Sequence, residues 1–275
     1  MPFSVLMSVY SKESSVFLNS AFQSIFDQTL KADEFILVKD GPLPDSLNEC
    51  IERWIELLNI KLVVLDVNVG LGNALNAGLE NCSNDLVIRC DSDDLNLPTR
   101  FETQVNFMKN NPDVSASSSN VAEFNVTPGD CKRIRTIPCS PKRIKADVVS
   151  RNPMNHMATI FRKSSVTNVG GYMHLQYMED YYLWIRLLAG GYKIENIDAT
   201  LVFARVGNGM LSRRRGWDYA KSEYHLYNKL RKYKLSKYIY SELIFITRFS
   251  LRIFPARLLG HLYFFLRKRN QVAVK

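Results

Sequence analysis

Only five of the 275 residues are cysteine, none falls in a Cys-x-x-Cys pair, and one must stay unmatched. Cys50, Cys82, Cys90, Cys131 and Cys139 are therefore expected as free thiols in a reducing cytosol. Long apolar runs are also lacking. No uncharged stretch reaches the roughly 18 apolar residues of a membrane span, so no conventional span is expected. The run Phe3–Tyr10 is too short for a secretory signal, and no basic segment precedes it. The absence of a Gly-x-x-x-x-Gly-Lys-Ser/Thr loop argues against a P-loop phosphotransferase. Gly70, Gly72 and Gly78 do not form a dinucleotide fingerprint. There is no internal repeat and no low-complexity tract.

What is present belongs to a globular protein, with 46% hydrophobic and 23% charged residues. Acid is scarce in one region only. Up to Ala204 the chain carries 19 Lys and Arg against 24 acids; from Arg205 onward it carries 17 against 3. An acidic body with a basic, aromatic-rich tail suits an anionic partner. The bulky aliphatic residues of the tail favour a phospholipid surface and leave no use for nucleic acid.

Apolar runs alternate with helical spacings along the first half of the chain. Phe3–Tyr10, Glu34–Asp40, Lys61–Asp66 and the run beginning at Leu86 read as strands. Between them, helices are expected over about 15–30, with Ser14 or Ser15 as cap, over 47–58, and over 72–80, entered through Gly70. Such alternation predicts a mostly parallel α/β sheet flanked by helices, whose ligands bind beyond the carboxyl ends of the strands. After Pro98 a helix carries Phe101, Val105, Phe107 and Met108. Single strands are expected over 114–126, 155–162 and 194–203, and a helix over 179–188. Pro128 to Ala146, basic and rich in turn formers, reads as a surface excursion of lid type.

The stretch Leu86-Val87-Ile88-Arg89-Cys90-Asp91-Ser92-Asp93-Asp94 sets three carboxylates within four residues at the end of a buried strand. Ionised groups so crowded lose hydration and repel one another, unless a divalent cation and polar ligand groups share the site. Oxygen-only ligands suit Mg²⁺ or Mn²⁺ held jointly with substrate phosphates. A solvated acidic turn is the plain alternative.

Several segments follow in a telling order: Ser8-Val9-Tyr10, Val38-Lys39-Asp40-Gly41, Gly70-Leu71 with Asn76-Ala77-Gly78, Asp91-Ser92-Asp93-Asp94, Gly170-Gly171-Tyr172, then Glu179-Asp180. Together they resemble family 2 glycosyltransferases, inverting nucleotide-sugar-dependent enzymes of the GT-A (Rossmann-like) fold. Asn152 to His156 and Asp180 to Trp184 are similar to segments of the bacterial enzymes that extend O-antigen or exopolysaccharide units on a lipid carrier. The resemblance covers about residues 3–205 and implies roles residue by residue. Val9, Tyr10, Asp40, Gly70, Asn76, Asp91, Ser92 and Asp93 would bind a UDP-sugar, with Asp40 on the uracil or its ribose. Asp93 and Asp91 would hold Mn²⁺ or Mg²⁺, with Asp94 ordering them, Asp180 would be the base and Glu179 its companion. His156 and Trp184 are candidates for acceptor contact, with a core or loop position for His156 and a core position at helical spacing for Trp184 as the alternatives. Two departures stand out: Leu75 replaces an Arg common in the family, and the loop after Arg205 lacks its usual His. Arg213 and Arg214 are the candidates to face the diphosphate instead.

The chain thus divides into a GT-A catalytic domain over 1–205 and a basic amphipathic helical region over 206–275. In the latter, Arg248 and Arg252 share a helix face, and Leu258–Leu266 precedes Arg267-Lys268-Arg269. Cations on phosphates and aromatics among acyl chains would attach it peripherally to the cytoplasmic face of a bacterial inner membrane, beside a lipid-linked saccharide acceptor. Packing of these helices on the catalytic domain is the alternative. Rival functions are a nucleotidyltransferase on a similar sheet and a silent membrane scaffold. Ser11-Lys12-Glu13-Ser14 is a poor nucleotidyltransferase loop, and the full set of carboxylates speaks against a scaffold.

Overall fold

The computed structural model describes residues 1–206, 216–235 and 238–253. Its centre is a seven-stranded sheet in the order β10-β6-β9-β4-β1-β2-β3. The strands are β1 (Phe3–Val9), β2 (Glu34–Asp40), β3 (Ile60–Leu65), β4 (Leu86–Arg89), β6 (Val114–Ser117), β9 (Ile160–Arg162) and β10 (Lys193–Ile194). Neighbours are parallel except β9, which runs antiparallel to both β4 and β6. A smaller sheet, in the order β5-β11-β7-β8, adds β5 (Leu95–Asn96), β7 (Ser119–Phe124), β8 (Ile134–Arg135) and β11 (Ile197–Arg205).

The central strands are apolar on both faces, as a sheet covered on both sides requires. Phe3, Val5, Met7 and Val9 of β1 point into one cluster with Phe35 and Leu37, while Leu6, Ile36 and Val38 point into the other. On the first face lie α1 (Ser15–Phe26), α2 (Asp45–Leu58) and α4 (Arg100–Asn110), through Phe22, Trp54 and Phe101 among others. On the second lie α3 (Leu71–Asn81), α5 (Pro141–Asp147), α6 (Lys163–Asn168) and α7 (Glu179–Ala189). Every residue of α7 from Tyr181 to Leu187 is buried. A helix apolar all round must be covered all round. Leu183, Trp184 and Leu187 meet the sheet side, whereas Tyr181, Tyr182 and Ile185 meet α8 (Trp217–Lys232) through Tyr219, Leu226 and Leu230.

The helix α9 (Tyr238–Ile253) packs along α8 as a hairpin. Arg248 and Arg252 do share a face, but it is turned inward, where both pair with the buried carboxylate of Glu223. The expectation that they meet lipid phosphates is thereby corrected: one buried acid claims both. Leu258–Leu266 and Arg267 to Arg269 lie outside the described residues. No helix among the described residues is long and apolar enough to cross a membrane.

Two expected strands are each divided. The 114–126 strand breaks at Ser118, whose backbone N–H is held by Asn196 Oδ1 at 2.9 Å and whose hydroxyl donates to Asn155 O at 2.8 Å. The 194–203 strand breaks at Asn196 itself, whose amide donates to Pro138 O and Pro153 O. These buried polar bonds pass both chains together from the large sheet to the small one. The 155–162 segment opens with a 3-10 turn (His156–Ala158), and only β9 is strand. The 128–146 excursion is anchored, since β8 pairs with β7 and Ile144 of α5 is fully buried. The five cysteines are free.

Candidate active site

β4 ends between β1 and β9, and the next residues lie at the sheet's carboxyl rim. Carboxylate oxygens of Asp91, Asp93 and Asp94 there lie within 4.8 Å of one another. Asp91 pairs with the buried guanidinium of Arg89. Burial pushes the Asp93 carboxyl up to about 7, with the charges of Asp91 and Glu13 adding to it and Arg89 opposing. Asp94 is likewise raised well above the usual carboxylate range, by burial first and then by the charges of Asp91 and Asp93. Its Oδ1 accepts the backbone N–H of Arg205 at 2.8 Å, but its buried Oδ2 has no hydrogen-bond partner among the described residues. An orphaned buried oxygen beside two more carboxylates fits a hard cation with oxygen ligands. Asp91, Asp93 and Asp94 are the residues that would hold it.

Residues outside the cluster fix its shape. Ser92 Oγ donates to Glu13 Oε2 at 2.7 Å, tying the acidic turn to the loop after β1. Arg205, at the end of β11, donates from Nε to Asp93 O, and its guanidinium stacks on Phe17 at 3.8 Å and Phe124 at 4.5 Å. Of the neighbouring candidates, Tyr10 is exposed at the end of β1, while the Val9 side chain is wholly buried in the core and offers only its backbone to a ligand.

Asp40 ends β2 and is itself buried. Its Oδ1 accepts from Val69 N at 2.7 Å, and its Oδ2 accepts from Asn68 Nδ2 at 3.0 Å and Gly70 N at 3.2 Å. It therefore shapes the loop that feeds α3. Gly70 enters that helix at φ +85°, a left-handed conformation that favours glycine, and the space beside it is open. Asn76 does not turn its amide toward this space. Its Oδ1 accepts Tyr172 N and its Nδ2 donates to Tyr172 O, both at 2.7 Å. Asn76 thereby clamps the Gly170-Gly171-Tyr172 turn.

That turn brings α7 to the rim. A Cβ on Gly72 would sit 3.2 Å from Glu179 Cγ, so the starts of α3 and α7 touch. Burial raises the Glu179 carboxyl, and the adjacent charge of Asp180 adds to the shift. Asp180 Oδ2 accepts from Asn152 Nδ2 at 2.7 Å. The Tyr172 hydroxyl is 2.9 Å from His156 Nε2, and burial raises its pKa, with Arg89 opposing and both Asp180 and Asp91 contributing. Tyr172 is thus within electrostatic reach of both Asp180 and Asp91. Burial also drives the His156 imidazole well below its usual 6.5, keeping it neutral.

Trp184 is corrected outright. It is fully buried in the core, 6.2 Å edge-on from the His156 ring, and cannot stack a sugar. Arg213 and Arg214 lie outside the described residues.

A model of glycosyl transferase family 2 matches residues 4–169. The chain belongs to glycosyltransferase family 2. It is 41% identical over 261 residues to the amylovoran biosynthesis glycosyltransferase AmsE of Erwinia amylovora, covering 95% of this chain and 97% of that one. It is 42% identical over 268 residues to the UDP-Gal:alpha-D-GlcNAc-diphosphoundecaprenol beta-1,3-galactosyltransferase of Escherichia coli, covering 95% and 94%. Among solved structures it is similar to S. aureus TarS 1–349 in complex with UDP-GlcNAc. That match has a TM-score of 0.68 at 17% identity and covers 90% of this chain and 72% of that one. The fold is GT-A.

In this family 2 glycosyltransferase, sequence reasoning missed Glu13, Arg89, Asn152, Tyr172 and Arg205 as site residues. Arg89 had a signal, since a lone cation at the end of an apolar strand calls for a buried partner. Asn152 opens the segment 152–156 that carried part of the resemblance, but its pairing with Asp180 had no signal; Glu13 had none, because only the tertiary fold brings it to Ser92.

Proposed function

We propose that this glycosyltransferase moves a sugar from a UDP-sugar, with inversion and with a divalent cation, to a saccharide on a polyprenyl diphosphate. The work takes place at the cytoplasmic face of a bacterial inner membrane. The observation that carries the reading is the cluster of Asp91, Asp93 and Asp94, whose carboxylate oxygens lie within 4.8 Å of one another at the end of β4, with the start of α7 against the start of α3. One carboxylate on the acceptor side and an acidic cluster on the leaving side is the layout that single displacement needs. The relative that uses UDP-Gal and GlcNAc-diphosphoundecaprenol supports the substrate classes.

Asp180, held by Asn152, takes the proton of the acceptor hydroxyl as that oxygen bonds to the anomeric carbon. The bond to the diphosphate breaks on the opposite face, and UDP leaves with the electron pair. Glu179, the neighbour of Asp180 on α7, is the companion that borders the sugar instead. Asp40 with the 68–70 loop receives the nucleoside at Gly70, and Tyr10 flanks it. Arg213 and Arg214 are the cations proposed for the diphosphate. Mn²⁺ or Mg²⁺ bound at Asp91 and Asp93 would neutralise the charge that builds on the leaving group. His156, neutral and bonded to Tyr172, lies on the acceptor side.

The 206–275 region is proposed to seat the enzyme on lipid. Its outward face, with Trp217, Tyr224, Leu243 and Ile246 exposed and Lys221 beside them, has the mixed character of an interfacial surface.

A screen of UDP-sugars for UDP release, with and without a lipid-diphosphate saccharide, identifies the donor. With that donor, Asp180→Asn is expected to lower transfer by at least about 1,000-fold while leaving donor binding near normal. Chelation should abolish turnover and Mn²⁺ or Mg²⁺ restore it. Unchanged turnover in Asp180→Asn removes it as base, and full activity in excess chelator removes the cation.

A further inference from the structure

We propose that Arg248, on the C-terminal hairpin, is a positioning residue for the carboxylate of Asp180; this rests on the reading of Asp180 as base. Its guanidinium reaches three groups at once. Nε pairs with Glu223 Oε2 at 2.8 Å, and Nη1 donates to Ser150 O at 3.2 Å and to the Tyr181 hydroxyl at 3.3 Å. The Tyr181 hydroxyl in turn donates to Val148 O at 2.6 Å, and the arginine also lies 5.4 Å from the centre of the Tyr181 ring.

Each contact falls on something that fixes Asp180. Tyr181 is the next residue of α7, so holding its ring and hydroxyl holds the first turn of the helix. Val148 and Ser150 belong to the segment leading to Asn152, and Asn152 donates to Asp180 Oδ2 at 2.7 Å. Helix start and loop are two separate pieces of chain, 28 residues apart at the Asn152–Asp180 bond. Arg248 spans both.

The anchor behind it is strong. Glu223 is 2% exposed and is shared with Arg252, which also lies 4.5 Å from the Tyr219 ring. The nearby Glu223 charge and the Tyr181 phenol hold Arg248 firmly protonated despite its burial. A planar fork with five donors can serve a carboxylate, a carbonyl and a hydroxyl together; an ammonium cannot span the same set. The two arginines thus differ in kind. Arg252 contacts Glu223 and Tyr219 of α8, while Arg248 reaches beyond Glu223 to Ser150 O and the Tyr181 hydroxyl.

The test compares full-length Arg248→Gln, Arg252→Gln, Asn152→Ala and the Arg248→Gln/Asn152→Ala double variant, with the UDP-sugar and lipid-diphosphate saccharide found active above. Melting temperature, donor KM and kcat for transfer are read together. Arg248→Gln is expected to lower kcat about 10- to 100-fold with donor KM within about 3-fold, the size of effect a small misplacement produces. Arg252→Gln should lose a comparable amount of melting temperature yet keep kcat within about 3-fold. The double variant should be no slower than Asn152→Ala by more than about 2-fold, because both act on the same bond. Arg248→Lys should recover melting temperature ahead of kcat.

If Arg248→Gln keeps its kcat, falls in step with Arg252→Gln, or multiplies with Asn152→Ala, the inference is overturned. Should Arg248→Gln fail to fold, Tyr181→Phe removes the hydroxyl alone. It must then show the same kcat loss at constant KM, and normal turnover overturns the inference. An active Asp180→Asn sinks the reading of the base, whereas an inactive Asp180→Asn with a normal Arg248→Gln sinks this inference only.

Discussion

Glu34, at the first position of β2 and away from the candidate site, shows how a single buried acid can hold a strand start. Burial alone would raise its carboxyl, but hydrogen bonds from Ser4, Lys61 and Ser83 outweigh that and bring it to about 2. A carboxylate depressed in the folded state contributes stability that is fully present above its unfolded value of 4.5 and is lost as pH falls toward 2. The contribution at neutral pH is about 3 kcal/mol, because each tenfold change in proton affinity is worth roughly 1.4 kcal/mol. Urea unfolding at steps from pH 6 to pH 2 should therefore show a decline that Glu34→Gln flattens. An identical acid limb in the variant would refute the assignment. Glu34 also illustrates what one sequence cannot convey. Its partners lie 27 to 49 residues away, and nothing local marks it apart from the exposed acids of α2. The cluster at 91–94 was legible for the opposite reason, because its crowding is contiguous. Trp184 misled because helical spacing tells that a side chain faces something, not whether sugar or core fills that side.

Among elements, α3 lies close against its sheet at Gly78. A Cβ on Gly78 would fall 2.6 Å from Val38 Cγ2, and Leu6 Cδ1 is nearer still. Gly78→Ala should thus destabilise by about 1–3 kcal/mol through overpacking, although alanine is the better helix former by about 1 kcal/mol. Equilibrium denaturation settles the sign, and a stabilised variant would show that α3 can retreat. The alternation of strands and helices through β4 could be read directly, because both faces of each parallel strand are apolar and each helix carries one stripe. The crossings at Ser118 and Asn196 could not. The polar residues Ser117 to Asn120 and Glu195-Asn196 do not by themselves mark a change of sheet, and the cause is a pair of buried polar residues that find each other 78 positions apart. The sheath around α7 was half visible, since its run from Tyr181 to Leu187 is too apolar for a helix with one wet side.

At the scale of the whole molecule, the hairpin of α8 and α9 belongs to the body by its inner face. Basic and aromatic residues in alternation suit a lipid surface or a buried acid equally well, and only the location of Glu223 decides between them for Arg248 and Arg252. Removing residues from 236 onward would strip Glu223 of both arginines and uncover the face of α8 on which α9 packs. A truncated chain should melt earlier and is a poor probe of membrane attachment. Trp217→Glu with Ile246→Glu, both on the exposed face, should instead weaken sedimentation with anionic vesicles at an unchanged melting temperature. Undiminished sedimentation would exclude that face as the contact.

The reversed direction of β9 carries a consequence for how the site is supplied. Parallel strands deliver side chains to the rim only where they finish. A strand running the other way starts there, so the residues ahead of it, Asn152 and His156 among them, arrive at the same rim by a separate approach. The two sides of the site are in this way encoded by stretches that need not change together, and one side can be remodelled while the acids of the other stay put.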